Sequence, residues 1–332
     1  MRVLVTGGAG YVGAASVDAL LEAGHDVIVL DDLSTGHAAA VPAGATLRTG
    51  DYTNRDATRR ILEDDRVEAI LHCGARSLVG ESMVDPARYW RANVAGGIAL
   101  LEAARGAGVT RFVFSSSAAV YGVPDRTPIM ETDPIRPINP YGETKAAFER
   151  ALAAYGTSSG LRSVTLRYFN VAGATDRVGE RHDPETHLIP NALLAAEGGP
   201  PLPLFGVDYP TPDGTAIRDY IHVADLADAH LAALEATAPD DPRTESPLIC
   251  NLGSAAGFSV REVLAVASAI VGREIPHHVA PRRAGDPPIL VASAERAHEV
   301  LGWTQRRSRL DEMIGSAWAW RQRHPDGYRA QT

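Results

Sequence analysis

The 332-residue sequence predicts an α/β chain: a doubly wound parallel sheet followed by a smaller C-terminal α/β domain. Three observations predict it. A β-branched run opens the chain and breaks into evenly spaced glycines ahead of an apolar-periodic stretch. Short apolar runs and amphipathic stretches then alternate regularly, as strands and helices do in such folds. After Asn170 the spacing changes, and a polar stretch over 171–190 precedes a new set of helical patterns.

Arg2-Val3-Leu4-Val5-Thr6 suits a strand buried on both faces. Gly7-Gly8-Ala9-Gly10-Tyr11-Val12-Gly13 follows, and then a helical stretch through Leu20 and Leu21 that Gly24 ends. Strand, glycine turn and helix form the setting in which such spacing means dinucleotide binding, the Rossmann arrangement. Glycines permit a tight turn, and backbone N–H groups at the helix N-terminus can approach a pyrophosphate. Gly7, Gly10, Tyr11, Val12 and Gly13 are therefore candidate cofactor contacts, although the spacing is one residue longer than the plain fingerprint.

The next strand, Asp26–Leu30, ends in Asp31 and Asp32. Asp31 lies 18 residues past Gly13, close to the ~20 expected of the acid that bonds the adenosine ribose. Two carboxylates there repel a 2′-phosphate, and no arginine falls between Asp31 and Thr46, so NAD is favoured over NADP. Strands follow at Thr46–Thr49 and 67–71, with a helix over 57–63 between them. Asp51 and Tyr52 close one strand, and His72, Cys73, Gly74 and Ala75 the other. Both groups lie at carboxyl ends, where doubly wound sheets bind ligands. His72 reads as a satisfied core histidine, and no metal site is expected. A helix carrying Tyr89, Trp90 and Asn93 leads to the strand Arg111–Phe114 and the run Ser115-Ser116-Ser117. Ser115 and Ser116 read as turn formers, Ser115 also as a cofactor neighbour, and Ser117 as the hydroxyl with a chemical role.

A formal charge of −9 argues against a nucleic-acid or anionic-membrane surface. No apolar run approaches the ~18 residues of a membrane span. Cys73 and Cys250 read as reduced thiols of a cytosolic protein, and no leader segment is visible.

Tyr141 and Lys145 stand four apart in a stretch that starts at Pro140 and continues in helix formers. On a helix they share one face. A free phenol ionises near ~10, too high for a base at neutral pH. A neighbouring ammonium is expected to lower that value and to make Tyr141 a proton acceptor.

With these residues in hand, the sequence resembles the extended short-chain dehydrogenase/reductase superfamily, and within it the UDP-glucose 4-epimerases. The resemblance runs through the glycine turn, Val79–Ser82, Phe114–Gly122, Asn139–Lys145, Leu166–Asn170, Asp208–Thr215, Ile217–Val223 and Ala280–Asp286. It implies a catalytic trio of Ser117, Tyr141 and Lys145, and a tightly held NAD touched by Asp31, Asp51, Asn93, Tyr141, Lys145 and Tyr168. It implies a UDP-hexose substrate, which Asn170, Leu188 and Phe205 would line and whose nucleoside end Asp286 would meet. Arg218 and Arg283 are the candidates for its diphosphate, since a guanidinium matches phosphate oxygens; Arg282 reads as a surface ion pair. The implied reaction removes and returns hydrogen at the sugar C4 through a transient 4-keto sugar. Homodimers are usual in the family. The implied division is 1–168 for the cofactor domain, with a segment near 217–237 returning to it, and 169–332 for the substrate domain.

Three positions depart from the family pattern. Ser77 replaces a lysine near the phosphates, and His187 an asparagine that contacts sugar or phosphate. Leu290, of intermediate size, leaves acceptance of N-acetylhexosamines open. The rival readings are a 4,6-dehydratase and a non-catalytic nucleotide-binding protein. A dehydratase carries an Asp-Glu pair where Ala118 and Ala119 stand here, and alanine transfers no protons.

Overall fold

Six short strands form from the apolar runs of the first half: β1 (Arg2–Thr6), β2 (Asp26–Asp31), β3 (Thr46–Thr49), β4 (Ala69–His72), β5 (Arg111–Ser115) and β6 (Arg162–Tyr168). This computed structural model describes residues 1–241, 247–283 and 286–328. The strands lie in the order β3-β2-β1-β4-β5-β6, and Leu248–Leu252 adds a seventh beside β6. Every pairing is parallel. The chain reverses its winding between β1 and β4, so their carboxyl ends flank the crevice where such sheets bind ligands.

Side chains alternate across the sheet, as pleating requires. Val3, Val5, Leu71, Val113 and Val164 pack on one face with Val17, Leu20, Leu226 and Ala233. Leu4, Ile70 and Phe112 pack on the other with Leu100, Phe148 and Leu152. Burial on both faces explains why these strands read as nearly continuous apolar runs.

Several boundaries differ from expectation. The helix expected at 57–63 is Arg55–Asp64, because Asn54 accepts a hydrogen bond from Ala57 N at 3.1 Å and caps it earlier. Val67 belongs to the turn before β4, its N–H bonded to Leu62 O at 2.9 Å. The helix around Tyr89 is broken into Pro86–Tyr89, a wider π-helical turn at Trp90–Gly96, and Gly97–Ala107.

The second half holds smaller pairings: Asn170–Ala172 with Tyr220–His222, Leu202–Phe205 with His277–Ala280, and Ile217–Arg218 between Phe258–Ser259 and Ile289–Leu290. Its core gathers Ile189, Leu193, Tyr220, Val263, Met313 and Ile314. The first layer takes more of the late chain than a return near 217–237. Helix Val223–Ala236 packs against Tyr11–Glu22, and Leu248–Leu252 joins the sheet through β6. Ala284 and Gly285, within the Ala280–Asp286 block, lie outside the described residues.

Candidate active site

Local chemistry places Tyr141. Asn139 caps helix Pro140–Ser159 by accepting from Gly142 N at 2.8 Å, and Pro140 opens the first turn. Gly142 allows the helix to press on the turn Ala118–Val120: a Cβ there would sit 2.4 Å from Ala119 O. That approach sets Tyr141 beside Ser117, whose hydroxyl favours the ionised phenol and pulls its pKa down. Ser117 Oγ also accepts from Ala119 N at 3.2 Å, which orients it.

Lys145 follows one turn later. Its Nζ donates to Ser115 O at 2.8 Å, 4.7 Å from the Phe114 ring centre and 5.8 Å from that of Tyr141. Here the expectation of an acidified phenol is corrected. Burial pushes the Tyr141 hydroxyl up, and only the Ser117 hydroxyl pulls it down. Burial pushes Lys145 down to about 8. The ammonium is bonded to the Ser115 carbonyl and stands over the Tyr141 ring at 5.8 Å from its centre, and burial keeps Tyr141 a neutral phenol.

The remaining serines are engaged by groups the sequence did not disclose. Ser115 Oγ meets His230 Nε2 at 2.7 Å and Cys73 Sγ at 3.3 Å, and His230 Nδ1 meets Ser16 Oγ at 3.0 Å. Burial holds His230 down to about 3, so its neutral ring links β5 to the helix after the glycine turn. Ser116 donates to Glu149 at 2.5 Å, and Glu149 receives Arg167 at 3.0 and 2.5 Å. Arg167 also donates to the Tyr121 hydroxyl at 2.8 Å. Glu149 continues the 141–145 face by another turn, and that spacing was the one available signal. Tyr168 ends β6, its ring 6.3 Å from that of His230.

At the switch point Gly7 sits at φ +70° against Gly74; a Cβ on it would lie 2.6 Å from Gly74 N. Asp31 is buried and accepts from Ala9 N at 3.0 Å and Leu33 N at 2.9 Å, with burial raising its pKa. Asp32 is exposed and bonds only its own turn, at Ser34 N, so the two carboxylates differ in kind. Asp51 accepts from Thr53 N, and Tyr52 donates to Ala92 O at 3.1 Å. Asn93 bridges Arg76 N and O and the Thr144 hydroxyl at 2.8–3.0 Å, tying the loop after Ala75 to the Tyr141 helix. His72 is buried against Thr6 Oγ1 at 2.6 Å, as a core histidine.

The other candidates fall into two further groups. Arg218 pairs with Asp286 at 2.5 Å, so the arginine read as a diphosphate ligand is matched internally by the acid read at the nucleoside end. Arg283 lies 4.1 Å over the Phe205 ring, and Arg282 pairs with Asp208 at 2.6 Å. Leu290 pairs with Arg218 across two short strands and packs on the cluster holding Tyr121 and Ala146. Asn170 donates to Asp219 O at 2.9 Å. Leu188 opens helix Leu188–Ala196, three residues before the expected start, and Ser77 is exposed. His187, before that helix, faces Glu180 at 2.6 Å within a His/Glu cluster that sequence reasoning missed, although Glu-x-His-x-x-Glu-x-His was there to see.

Comparison with known proteins agrees with this geometry. Residues 3–253 match the NAD dependent epimerase/dehydratase family. The chain belongs to that family. It is 50% identical over 329 residues to the UDP-glucose 4-epimerase of Streptomyces lividans, covering 98% of each chain. A crystal structure of UDP-glucose 4-epimerase from Brucella ovis in complex with NAD superposes with a TM-score of 0.92 at 44% identity, covering 96% of this chain and 97% of that one. One from Bifidobacterium longum in complex with NAD+ and UDP gives 0.91 at 33% identity, covering 98% and 100%.

The family member's residues fit the dinucleotide. A Cβ on Gly13 would meet Gly7 O at 2.1 Å, so the turn closes only with glycine there. No side chain caps helix Tyr11–Glu22 at Gly10, which leaves first-turn N–H groups for a phosphate. Gly13→Ala should therefore lower NAD retention about tenfold or more, given ~1–3 kcal/mol for such overpacking. The nicotinamide released on denaturing the purified protein measures it; wild-type occupancy would show the turn to be more tolerant than this.

Proposed function

We propose that the chain interconverts UDP-galactose and UDP-glucose, with Ser117, Tyr141 and Lys145 as its catalytic residues. One chain of contacts carries the reading: Gly7 on Gly74, Cys73 on Ser115, Ser115 O on Lys145, and Ser117 on Tyr141. It brings a proton-transfer group beside the dinucleotide cradle. Full-length similarity to UDP-glucose 4-epimerases supports the same reading.

Tyr141 takes the proton from the sugar O4, and Ser117 orients or relays it. NAD, held at the glycine turn and Asp31, would supply the acceptor and donor of the C4 hydride and, oxidised, a positive charge. Lys145, 5.8 Å from the centre of the Tyr141 ring, is the cation that would favour the phenolate that burial alone disfavours. Arg218 exchanges Asp286 for the diphosphate, with Arg283 beside it, so the nucleotide stays anchored while the sugar turns. Asn170, His187, Leu188 and Phe205 line the sugar side. Leu290 is smaller than an aromatic, and assaying UDP-galactose and UDP-N-acetylgalactosamine side by side decides whether an N-acetyl group is admitted. The Ala118–Ala119 pair leaves no acid or base for dehydration.

Val79, Met83, Val84, Trp90 and Ile98 are exposed along consecutive helical segments and support a homodimer through that face. Free thiols at Cys73 and Cys250 support the cytoplasm. Among the described residues no helix is long and apolar enough to cross a membrane.

The purified protein should convert UDP-galactose to UDP-glucose without added NAD, followed by a coupled UDP-glucose dehydrogenase. Absence of conversion in protein that carries NAD would remove the proposal.

A further inference from the structure

We propose that Glu180, His182, Glu185 and His187 form a binding site for one divalent transition-metal ion of the zinc class. His187 belongs both to this cluster and to the sugar side proposed above, but the inference rests on the cluster alone and stands whether or not the proposed epimerase reading does. All four donor atoms lie within 4.8 Å of one another. A tetrahedral ion with bonds of ~2.0–2.2 Å sets its donors roughly 3.3–3.6 Å apart. His182 Nδ1 is 3.4 Å from Glu180 Oε1 and 3.7 Å from Glu185 Oε2, and His187 Nδ1 is 3.4 Å from Glu185 Oε1. Of these four contacts the His187–Glu180 one, at 2.6 Å, is shorter and opens by about an ångström as an ion enters; those of Glu185 run to its two oxygens, one to each histidine.

Two further observations point to a ligand. The His182 side chain is 29% exposed, but its Nδ1 is shielded from solvent and makes no well-formed hydrogen bond, although carboxylate oxygens stand 3.4 and 3.7 Å away. It stands within 4 Å of both, as a donor to a shared centre would. The Glu180 and Glu185 side chains are only 7% and 6% exposed, yet lie side by side. Buried carboxylates are paired or coordinate metals. Two imidazoles with two carboxylates suit zinc, cobalt or manganese better than magnesium or calcium, which take oxygen donors.

The surrounding chain holds the donors in place. Glu185 Oε1 accepts from Thr186 N at 2.8 Å and His187 N at 3.0 Å. Arg181 O meets His37 Nε2 at 3.2 Å, and Gly179 bonds the Tyr328 hydroxyl through both N and O, at 2.9 and 2.8 Å. Such outer contacts orient ligands. Four protein donors close the coordination shell, which marks a structural ion. It clips 180 to 187 and fixes the start of helix Leu188–Ala196.

The test uses NAD-loaded protein freed of metal by chelation and titrated with Co²⁺. The wild type should develop the intense visible bands of tetrahedral cobalt, saturating at one equivalent, and Zn²⁺ should abolish them. His182→Asn should lose the bands, and Glu185→Gln should weaken Co²⁺ binding at least tenfold. Identical spectra for wild type and His182→Asn, or no saturable band in the wild type, would overturn the proposal. Should His182→Asn fold poorly, the wild type alone decides: its melting temperature rises with Zn²⁺ up to one equivalent and then levels, whereas no rise refutes the site.

Discussion

Tyr141→Phe should keep its fold and its NAD and lose turnover by about 10²–10⁴-fold, the range for removing a general acid–base group. The substitution deletes one oxygen. The ring's edge-on contact with Tyr89, at 6.4 Å between centres, is kept, as is the helix cap at Asn139. Ser117, beside the hydroxyl, is uncharged, so removing the phenol oxygen leaves no buried charge behind. The loss falls on kcat, because proton transfer belongs to the transition state. Rates with UDP-galactose, NAD content and melting temperature are to be read on the same preparation. Near-normal turnover with full NAD occupancy would place the base elsewhere.

The phenol's environment divides what the sequence discloses from what only the fold does. Tyr141 and Lys145 were legible because helical spacing is local, and the glycine turn because strand, turn and helix adjoin. What that pair does electrostatically was not legible. It depends on where the ammonium points, and Lys145 points to Ser115 O on β5, an element brought in by tertiary packing. The seventh strand escaped for a similar reason. Leu248–Leu252 is an apolar run like many others, and its place beside β6 depends on pairing across a long connection. His230 is a lone histidine on a helix until β5 and the Tyr11–Glu22 helix meet it from two sides. The internal pairing of Arg218 with Asp286 was equally invisible, since each residue had been assigned to a different part of the ligand.

Arg167→Leu is expected to cost roughly 3–5 kcal/mol, the penalty for removing one partner of a buried ion pair. Its side chain is 4% exposed and that of Glu149 7%. Without the guanidinium, Glu149 keeps only Ser116 as a side-chain donor, and one hydrogen bond does not replace two charge-assisted ones. At roughly 2 °C per kcal/mol in a chain of this size, the melting temperature should fall by ~6–10 °C. The double change Glu149→Leu/Arg167→Leu should recover a large part of the loss, since removing both charges spares the uncompensated one. Activity should fall in the single variant as well. Glu149 lies one turn past Lys145, and its partner Ser116 adjoins Ser117, so the pair fastens the catalytic helix to the ends of β5 and β6. A single variant within about 1 kcal/mol of wild type, the range of an exposed pair, would mean that water reaches Glu149 and that the helix is held by packing alone.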